Sequence, residues 1–178
     1  MKNTVMDATA IERALKRIAH EIIEKHTAVP ISIVGIRTAG VFIASRLAGY
    51  ISQFGQIPVQ TGILDITLYR DDTALGTGRA IVRATQIPFS VDRAFIILVD
   101  DVLFTGRTVR AAMDAVMDMG RPKTIQLAVL IDRGHRELPI KADYIGKNVP
   151  TADHDAIKVV LTESGSGEDA VYLLQKGE

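Results

Sequence analysis

Two adjacent carboxylates and a short loop of threonine and glycine are the residues of this sequence best suited to chemistry. Asp100 and Asp101 precede residues 105–108, which read Thr-Gly-Arg-Thr. Hydroxyl groups and close backbone N–H groups at the start of a helix bind phosphate, because the helix dipole is positive there. Carboxylates beside a phosphate would repel it unless a neutral group lay between them, and the hydroxyls of a ribose are such a group. The segment therefore predicts a site for a ribose 5-phosphate.

A buried strand and a helix must position this loop. Residues 95–99 are five consecutive apolar residues, which is typical of a central parallel strand covered on both faces. Apolar residues then recur at helical spacing, namely Val109, Ala112, Met113, Val116 and Met117. The loop would thus lie at the carboxyl end of a strand, where open α/β sheets bind ligands. The alternative is an ordinary strand-to-helix turn with an aspartate cap, which needs neither paired acids nor the Thr-Gly-Arg-Thr loop.

The rest of the chain alternates in the way that a parallel sheet requires. The pattern predicts strands over residues 31–36, 59–69 and 124–132, and a helix over residues 40–54 that ends at Gly55. Residues 157–161 and 170–174 predict a closing hairpin. Residues 70–86 break the alternation and predict a mobile excursion, in which residues 80–83 are a candidate returning strand. The predicted class is α/β, with a central, mainly parallel, twisted sheet flanked by helices.

Length and composition limit the class of protein further. The chain has 178 residues, of which 47% are hydrophobic, and this suits one domain over residues 1–178. No apolar run is long enough to span a bilayer, and the charged amino terminus is typical of a helix rather than of a signal peptide. We therefore expect a cytoplasmic protein without a membrane partner. The absence of cysteine excludes disulfides, thiolate metal sites and a cysteine nucleophile.

A second strand-to-helix turn offers another anion site. Residues 35–40 begin at the end of the predicted strand 31–36 and place Arg37 and Thr38 between two glycines. This turn has the same combination of glycine and hydroxyl as the first loop. Arg37 supplies a cation, so we expect a second phosphate group to bind there.

The first helix has a basic face that could meet RNA. The formal net charge is zero, so RNA binding would need a local patch. Asp7 is a plausible N-cap, and the core stripe is Ile11, Ala14, Leu15, Ile18, Ala19 and Ile22. The side of this helix opposite the core stripe carries Arg13, Lys16, Arg17 and His20. On the residues alone, a solvated face with a Glu12–Lys16 pair is the favoured interpretation.

Several motifs resemble one family. Residues 95–108 resemble the phosphoribosyl pyrophosphate motif of the type I phosphoribosyltransferases. Residues 63–72, 120–122, 132–139 and 144–151 are similar to segments of the pyrimidine operon attenuation proteins that double as uracil phosphoribosyltransferases. The first motif also fits purine and orotate phosphoribosyltransferases. The run Arg-Gly-His-Arg-Glu-Leu-Pro at residues 133–139 is far more specific to the attenuation proteins. The resemblance spans nearly the whole chain and implies the type I phosphoribosyltransferase fold, with a lid loop at about residues 70–90.

The resemblance implies that uracil and phosphoribosyl pyrophosphate give UMP and pyrophosphate, with Mg²⁺ bridging the diphosphate and the ribose hydroxyls. No protein ligand of the metal is assigned. The implied catalytic residues are Asp100, Asp101, Arg37 and Arg70, and Arg79 is a second lid cation that either clamps pyrophosphate or only keeps the loop solvated. The residues implied to contact phosphoribosyl pyrophosphate or UMP are Arg37, Thr38, Ile97, Leu98, Val99, Asp100, Asp101, Val102, Leu103, Phe104, Thr105, Gly106, Arg107, Thr108 and Val109.

The family also implies a regulatory role. Its members bind pyrimidine operon leader mRNA in response to UMP or UTP, and they form homodimers or higher homo-oligomers. The residues implied to bind RNA are Lys16, Arg17, His20, Thr38, His135, Arg136, Lys141 and Lys147. The alternative for His135 is a structural role, in a turn or in packing. For the whole chain the alternatives are a uracil salvage enzyme that has lost RNA regulation and, less in keeping with residues 133–139, another base-specific phosphoribosyltransferase.

The sequence departs from the family pattern at three places. Ala39 stands where an arginine is expected, so Arg37 would carry the charge of the pyrophosphate loop alone. Phe104 replaces a usual tyrosine and keeps only the ring. Residues 153–155, Asp-His-Asp, stand where the family supplies a basic residue among serines, and the added negative charge should weaken RNA binding. The resemblance suggests that the base is flanked by the loop after residues 132–133 and by residues 145–149.

Overall fold

In a computed structural model of the chain, the described residues form two sheets and three α-helices. The structure describes residues 2–26, 29–69 and 84–175. In chain order the elements are β1 (Lys2–Met6), α1 (Ala8–Lys25), β2 (Ile31–Ile36), α2 (Ala39–Gly55), β3 (Val59–Leu64), β4 (Phe95–Leu103), α3 (Arg107–Asp118), β5 (Thr124–Asp132), β6 (Tyr144–Asn148), β7 (Ala156–Val160) and β8 (Ala170–Leu174).

A five-stranded parallel sheet carries the predicted phosphate loop. Its strand order is β3–β2–β4–β5–β6, so the strands before the two predicted anion loops, β2 and β4, are neighbours. Every residue of β2 is buried, as expected for a strand covered on both faces. The predicted α/β class and the predicted strands 31–36 and 124–132 are confirmed.

The helices cover both faces of this sheet. The apolar stripe of α1 is buried over its whole predicted length and packs with α2 against one face. Asp7 caps α1, because its side chain accepts a hydrogen bond of 2.8 Å from the Ala10 N–H. The apolar side of α3 packs against the other face, where Val109, Ala112 and Val116 meet β4 and β5 residues. The two hydrophobic clusters therefore hold the central strands rigidly in place.

A smaller antiparallel sheet lies beside the parallel one. Its strand order is β1–β8–β7, so the predicted closing hairpin of β7 and β8 is confirmed and gains β1 as a third strand. Arg46 of α2 ties this sheet to the main body, since its guanidinium pairs with Glu163 at 2.6 Å and with Asp169. Both acids belong to the connection between β7 and β8.

Two expectations from the sequence are wrong. The predicted strand over residues 59–69 ends at Leu64, because the Asp65 side chain accepts a hydrogen bond of 2.8 Å from the Thr67 N–H and turns the chain. The amino terminus begins with strand β1 rather than with a helix, because residues 2–6 pair with β8. The candidate returning strand at residues 80–83 lies outside the described residues.

No helix of the described residues combines the length and the apolar character that crossing a membrane would require.

Candidate active site and nucleic-acid interface

The predicted phosphate loop joins the carboxyl end of β4 to the first turn of α3. Gly106 precedes the helix with a φ of 94°, a left-handed conformation that favours glycine. This residue offers no side-chain cap to α3, so the N–H groups of the first turn can meet an anion. Residues 102–109 line a cavity of about 290 Å³. Eight of the predicted substrate-binding residues thus surround one pocket.

Asp100 and Asp101 lie in β4 just before this pocket. Asp100 is buried and Asp101 is half-buried. Oδ1 of Asp100 accepts a hydrogen bond of 2.9 Å from the Asp101 N–H, and Oδ1 of Asp101 accepts one of 2.9 Å from the Val102 N–H. These bonds orient both carboxylates at the end of the strand. The predicted residues Ile97, Leu98 and Val99 precede them and are buried in the sheet, which leaves only their backbone groups for contact with a ligand.

The second predicted anion loop connects β2 with α2. Arg37 and Thr38 are joined by a cis peptide bond, and α2 begins at the next residue. Nη2 of Arg37 donates a hydrogen bond of 3.2 Å to the Ala84 carbonyl. Within the described part of the chain, Nε of Arg37 is buried and has no hydrogen-bond partner. A buried guanidinium N–H without an acceptor is costly, and a phosphate oxygen is one group that would satisfy it.

Gly40 brings the two anion loops together. A Cβ atom on Gly40 would lie 2.4 Å from the Val99 carbonyl oxygen, so α2 can approach β4 this closely only with glycine at this position. Gly35 of β2 is aligned with Val99 of β4 in the parallel ladder. Arg37 therefore leaves the sheet beside the strand that carries Asp100, and the two loops open at the same edge.

A third loop, after β5, forms the remaining side of the candidate site. Asp132, Arg133, His135, Asn148 and Thr151 are among the residues that line a cavity of about 340 Å³. Arg133 is only 6% exposed, and burial lowers the pKa of its guanidinium. Its Nε donates a hydrogen bond of 3.0 Å to Oγ1 of Thr151. This is the region in which the family resemblance predicts the base, next to residues 145–149.

The loop after β5 is fastened to the phosphate loop. Nη1 of Arg136 donates a hydrogen bond of 2.7 Å to the Phe104 carbonyl, and the guanidinium also pairs with Asp132. The Glu137 N–H donates one of 3.0 Å to the Thr105 carbonyl, while Glu137 and Arg107 form an ion pair of 2.6 Å. Residues around the phosphate site and the base site therefore form one connected framework.

Known proteins are similar to this chain in both sequence and fold. The Phosphoribosyl transferase domain family matches residues 2–163. A relative from Pelotomaculum thermopropionicum, named Bifunctional protein PyrR, is 55% identical over 178 residues, which cover 99% of this chain and 98% of the relative. Another of that name, from Bacillus cereus, is 53% identical and covers 98% of each chain. This chain belongs to the phosphoribosyl transferase family, among its bifunctional PyrR members. The membership predicted from the motifs is confirmed.

Two solved structures have a similar fold. A hypoxanthine phosphoribosyltransferase of Trypanosoma cruzi has a TM-score of 0.75 at 16% identity and covers 97% of this chain and 91% of its own. A hypoxanthine-guanine phosphoribosyltransferase of Bacillus anthracis has a TM-score of 0.73 at 15% identity and covers 97% and 98%. These likenesses confirm the predicted type I phosphoribosyltransferase fold.

The basic residues of α1 that the PyrR resemblance singles out lie on its exposed side. Lys16 pairs with Glu12 at 2.7 Å, the contact that the sequence offered as the alternative to RNA binding. Arg17 pairs with Glu21 at 2.5 Å and also donates hydrogen bonds of 2.9 Å and 2.8 Å to the Ile145 and Gly146 carbonyls of β6. The PyrR-type residues of α1 are thereby adjacent to β6, which carries Lys147.

The other predicted RNA-binding residues lie in β6, in the loop between β5 and β6, and in the turn between β2 and α2. Lys147 donates a hydrogen bond of 3.0 Å to the Val5 carbonyl, and Lys141 is exposed. His135 is exposed and lies between two acceptors, the Thr151 carbonyl at 2.6 Å from Nε2 and Asp153 at 2.5 Å from Nδ1. Thr38 is exposed in the pyrophosphate loop. Arg70 and Arg79, with most of the predicted lid, lie outside the described residues.

Sequence reasoning missed several residues of this PyrR-type framework. Thr151 and Ala152 accept hydrogen bonds from Arg133 at 3.0 Å and 3.1 Å, and Glu137 pairs with Arg107 across thirty residues. None of these has a local signature, because each is a contact between separate loops. The run Arg-Gly-His-Arg-Glu-Leu-Pro identified residues 133–139 as important but did not indicate which residues they contact.

Proposed function

We propose that this chain forms UMP and pyrophosphate from uracil and phosphoribosyl pyrophosphate, and that it binds the leader mRNA of a pyrimidine operon when UMP or UTP occupies the same pocket. The observation that supports the transfer reaction best is the meeting of two helix N-termini at neighbouring strand ends, with Asp100 and Asp101 between them. One N-terminus suits the 5-phosphate and the other suits the diphosphate, while the acids suit the ribose hydroxyls that lie between these groups.

The chain's own residues would act mainly by positioning and by charge. The backbone N–H groups of residues 105–108 would hold the 5-phosphate, and Asp100 with Asp101 would accept hydrogen bonds from the ribose hydroxyls. Nε of Arg37, buried and without a partner within the described residues, would meet an oxygen of the leaving pyrophosphate. A ribosyl transition state carries positive charge at the reacting carbon, so the nearby carboxylates would stabilise it without forming a covalent bond.

Mg²⁺ is the cofactor that the donor set accommodates. Within the described parts of the chain, no group of three or more histidine, aspartate and glutamate side chains could hold a metal by itself. Asp100 and Asp101 offer hard carboxylate oxygens beside the anion loops, and such oxygens suit Mg²⁺ that is already bound to phosphates. The ion would neutralise charge on the departing diphosphate.

The base would occupy the cavity after β5. Uracil presents two carbonyl oxygens and an N–H group, so it needs a few fixed donors and acceptors in a concave site. Arg133, Asn148 and Thr151 line that cavity. The framework that joins this loop to the phosphate loop would hold the base in line with the ribose.

The regulatory half of the proposal rests on family membership and on the basic edge formed by α1 and β6. Arg17 joins these two elements, which carry Lys16, His20 and Lys147. RNA binding of this kind combines phosphate contacts with loop bases that are splayed out. Nascent transcripts and phosphoribosyl pyrophosphate are cytoplasmic, so the proposal places the chain in the cytoplasm, as a homodimer or a higher homo-oligomer.

Two measurements test the proposal. Asp100→Asn and Asp101→Asn should each lower kcat for UMP formation at least about a hundredfold while changing the Kd of UMP much less, because the charge matters most in the transition state. Asp114→Asn, on the exposed side of α3, is the matched control and should keep wild-type turnover. Unchanged turnover in both site variants would discard the ribose role.

For the regulatory half, the wild-type chain should bind the leader RNA tightly and more weakly at higher salt, with UMP increasing the affinity. An unrelated hairpin is the control. Equal, weak binding of both RNAs would leave a uracil salvage enzyme.

A further inference from the structure

Three aromatic rings form a parallel stack on the exposed side of the α1 and α2 pair. The ring of His20 lies over that of Phe54, with centroids 4.7 Å apart and planes within 4° of parallel. The ring of Tyr50, one helical turn earlier in α2, is parallel to Phe54 within 8° at 5.8 Å. We call His20, Phe54 and Tyr50 the ring stack.

The backbone brings the two helices close enough for this stack. Gly55 ends α2, and a Cβ atom there would lie 2.9 Å from Cγ1 of Ile23 on α1. The preceding residue, Phe54, is 36% exposed, and His20 is exposed as well. The apolar contact between the helices is made by other, buried residues such as Ile22 and Ile51. The exposed rings are therefore not needed to fill the core, and a smaller apolar side chain could replace Phe54 there.

A lysine lies beside the ring stack, and the same helix carries two further cations, Arg13 and Arg17. Nζ of Lys16 lies 5.7 Å from the centre of the Tyr50 ring. Arg13 is exposed and makes no ion pair with any residue that the structure describes. Lys16 pairs with Glu12 on the exposed helix surface, and such a pair contributes little to stability. Phosphate groups can compete with this pair at small cost.

We propose that the ring stack receives an unpaired nucleobase of the bound RNA, with the phosphates on either side of that base meeting Arg13 and Lys16. The inference rests on the regulatory half of the proposed function, and it adds Phe54 and Tyr50 as binding residues. Phe54 holds the His20 ring parallel to its own, so an incoming base extends an ordered stack. Every base has a π-face, and unpaired loop or bulge bases in RNA are commonly held on aromatic side chains.

Phe54→Leu keeps an apolar side chain and removes the ring. It should weaken leader RNA binding about tenfold, which is the usual size of a base-stacking contribution. The slope of log affinity against log salt should stay at its wild-type value, because no cation is removed, whereas Lys16→Gln should reduce that slope by about one. Tyr172→Leu removes another aromatic ring that lies under a lysine, 3.6 Å from Lys2, and is the matched control with unchanged RNA affinity.

Leader RNAs with 2-aminopurine at successive unpaired positions identify the base directly. One position should lose fluorescence on binding to the wild-type chain and keep it with Phe54→Leu. Wild-type affinity and unchanged quenching in Phe54→Leu would overturn the ring-stack proposal while leaving RNA regulation intact. A changed oligomeric state of that variant with unchanged RNA affinity would assign the rings to a contact between copies and also overturn it. Failure of the wild-type chain to prefer the leader would instead overturn the regulatory proposal, and the ring stack with it. UMP formation should be the same in all these variants.

Discussion

The guanidinium of Arg133 lies over the ring of Phe104, with Cζ 3.9 Å from the ring centre. Phe104 lines the cavity of the phosphate loop, and Arg133 lines the cavity after β5. The same guanidinium donates hydrogen bonds to Thr151 and Ala152. One buried cation therefore joins the candidate phosphate site, the candidate base site and the segment that closes the latter.

Replacing this cation should affect the base more than the phosphate. Arg133→Met keeps much of the side-chain volume but loses the two hydrogen bonds that hold residues 151–152, so we expect kcat/KM for uracil to fall at least about tenfold. The KM for phosphoribosyl pyrophosphate should change less. Steady-state kinetics with each substrate varied in turn measures the difference, and equal changes for both would contradict it. Phe104→Tyr is the control and should stay close to wild type, since it keeps the ring under the guanidinium.

The close approach of α2 to β4 gives a second prediction. Gly40→Ala would put a methyl group 2.4 Å from the Val99 carbonyl oxygen, so the pyrophosphate loop must move away from Asp100. We expect a loss of about 1–3 kcal/mol in stability and a much larger relative loss of kcat. Gly49→Ala in the same helix is the matched control, because no atom lies within 4 Å of the added Cβ. It should be neutral or stabilising, by about 0.5–1 kcal/mol. Urea unfolding and an assay of UMP formation would show whether the two variants differ in this way.

The pyrophosphate loop can be tested at the position where the family pattern is broken. Ala39→Arg adds a second cation next to Arg37 at the start of α2, and it should lower the KM for phosphoribosyl pyrophosphate about three- to tenfold, as expected for one additional hydrogen bond with a net contribution of about 1 kcal/mol. Ala39→Gln is the control for side-chain length without charge. If both variants raise the KM equally, the site has no room for a longer side chain and Arg37 suffices alone.

Asp153 gives a prediction for RNA binding. Its carboxylate lies 2.5 Å from Nδ1 of His135, one of the predicted RNA-binding residues, and its side chain is 88% exposed. Asp153→Arg should increase affinity for the leader RNA. It should also make the slope of log affinity against log salt steeper by about one. Asp153→Asn should increase affinity for the RNA by a smaller factor and leave the slope of log affinity against log salt unchanged. An RNA titration at two salt concentrations separates these outcomes, and no response in either variant would place this loop away from the RNA.

The Arg46 contact predicts how stability depends on pH. Hydrogen bonds from Arg46 lower the pKa of Asp169 and of Glu163 below their ordinary values of 3.8 and 4.5. A carboxylate whose pKa is lowered by folding adds stability above its ordinary pKa, and this contribution is lost as the pH falls through the lowered value. Arg46→Met should therefore destabilise the chain at pH 7, by about 2 kcal/mol, and the difference from wild type should shrink below about pH 4.

Urea unfolding at pH 7 and pH 3 would measure this change. Glu12→Gln, which removes an exposed ion pair with Lys16, is the control and should show a much smaller pH dependence, because water screens this pair. A difference between Arg46→Met and wild type that stays constant with pH would mean that Arg46 contributes by packing rather than by charge.

The sequence predicted the elements whose signals are local. The apolar run of β4, the adjacent acids and the glycine before α3 lie within fifteen residues, so strand, loop and helix could all be inferred. Strand β1 could not, because Lys2–Met6 becomes a strand only by pairing with β8, about 170 residues later. The predicted extension of β3 was wrong because alternating apolar residues continue to Leu68, while the Asp65 side chain turns the chain at Thr67.

Contacts between loops were beyond prediction for the same reason. The family resemblance placed Arg133 near the base, but its partner Phe104 comes from another strand end. Likewise, Gly40 was recognised as part of a phosphate-type turn, whereas its contact with Val99 depends on how α2 packs on the sheet.

The alignment of β2 with β4 has a consequence for variants far from the pocket. The ladder pairs Ser32 with Ile96 and Gly35 with Val99, so the loops that follow the two strands leave the sheet at the same level. A slip of one residue would shift one loop along the other by about 3.3 Å and turn its side chains to the opposite face. A substitution that loosens this ladder at its far end, around Ile31 or Phe95, could thus abolish turnover while the chain remains folded. Such a variant would look like a catalytic mutant, although the change lies at the other end of the strands.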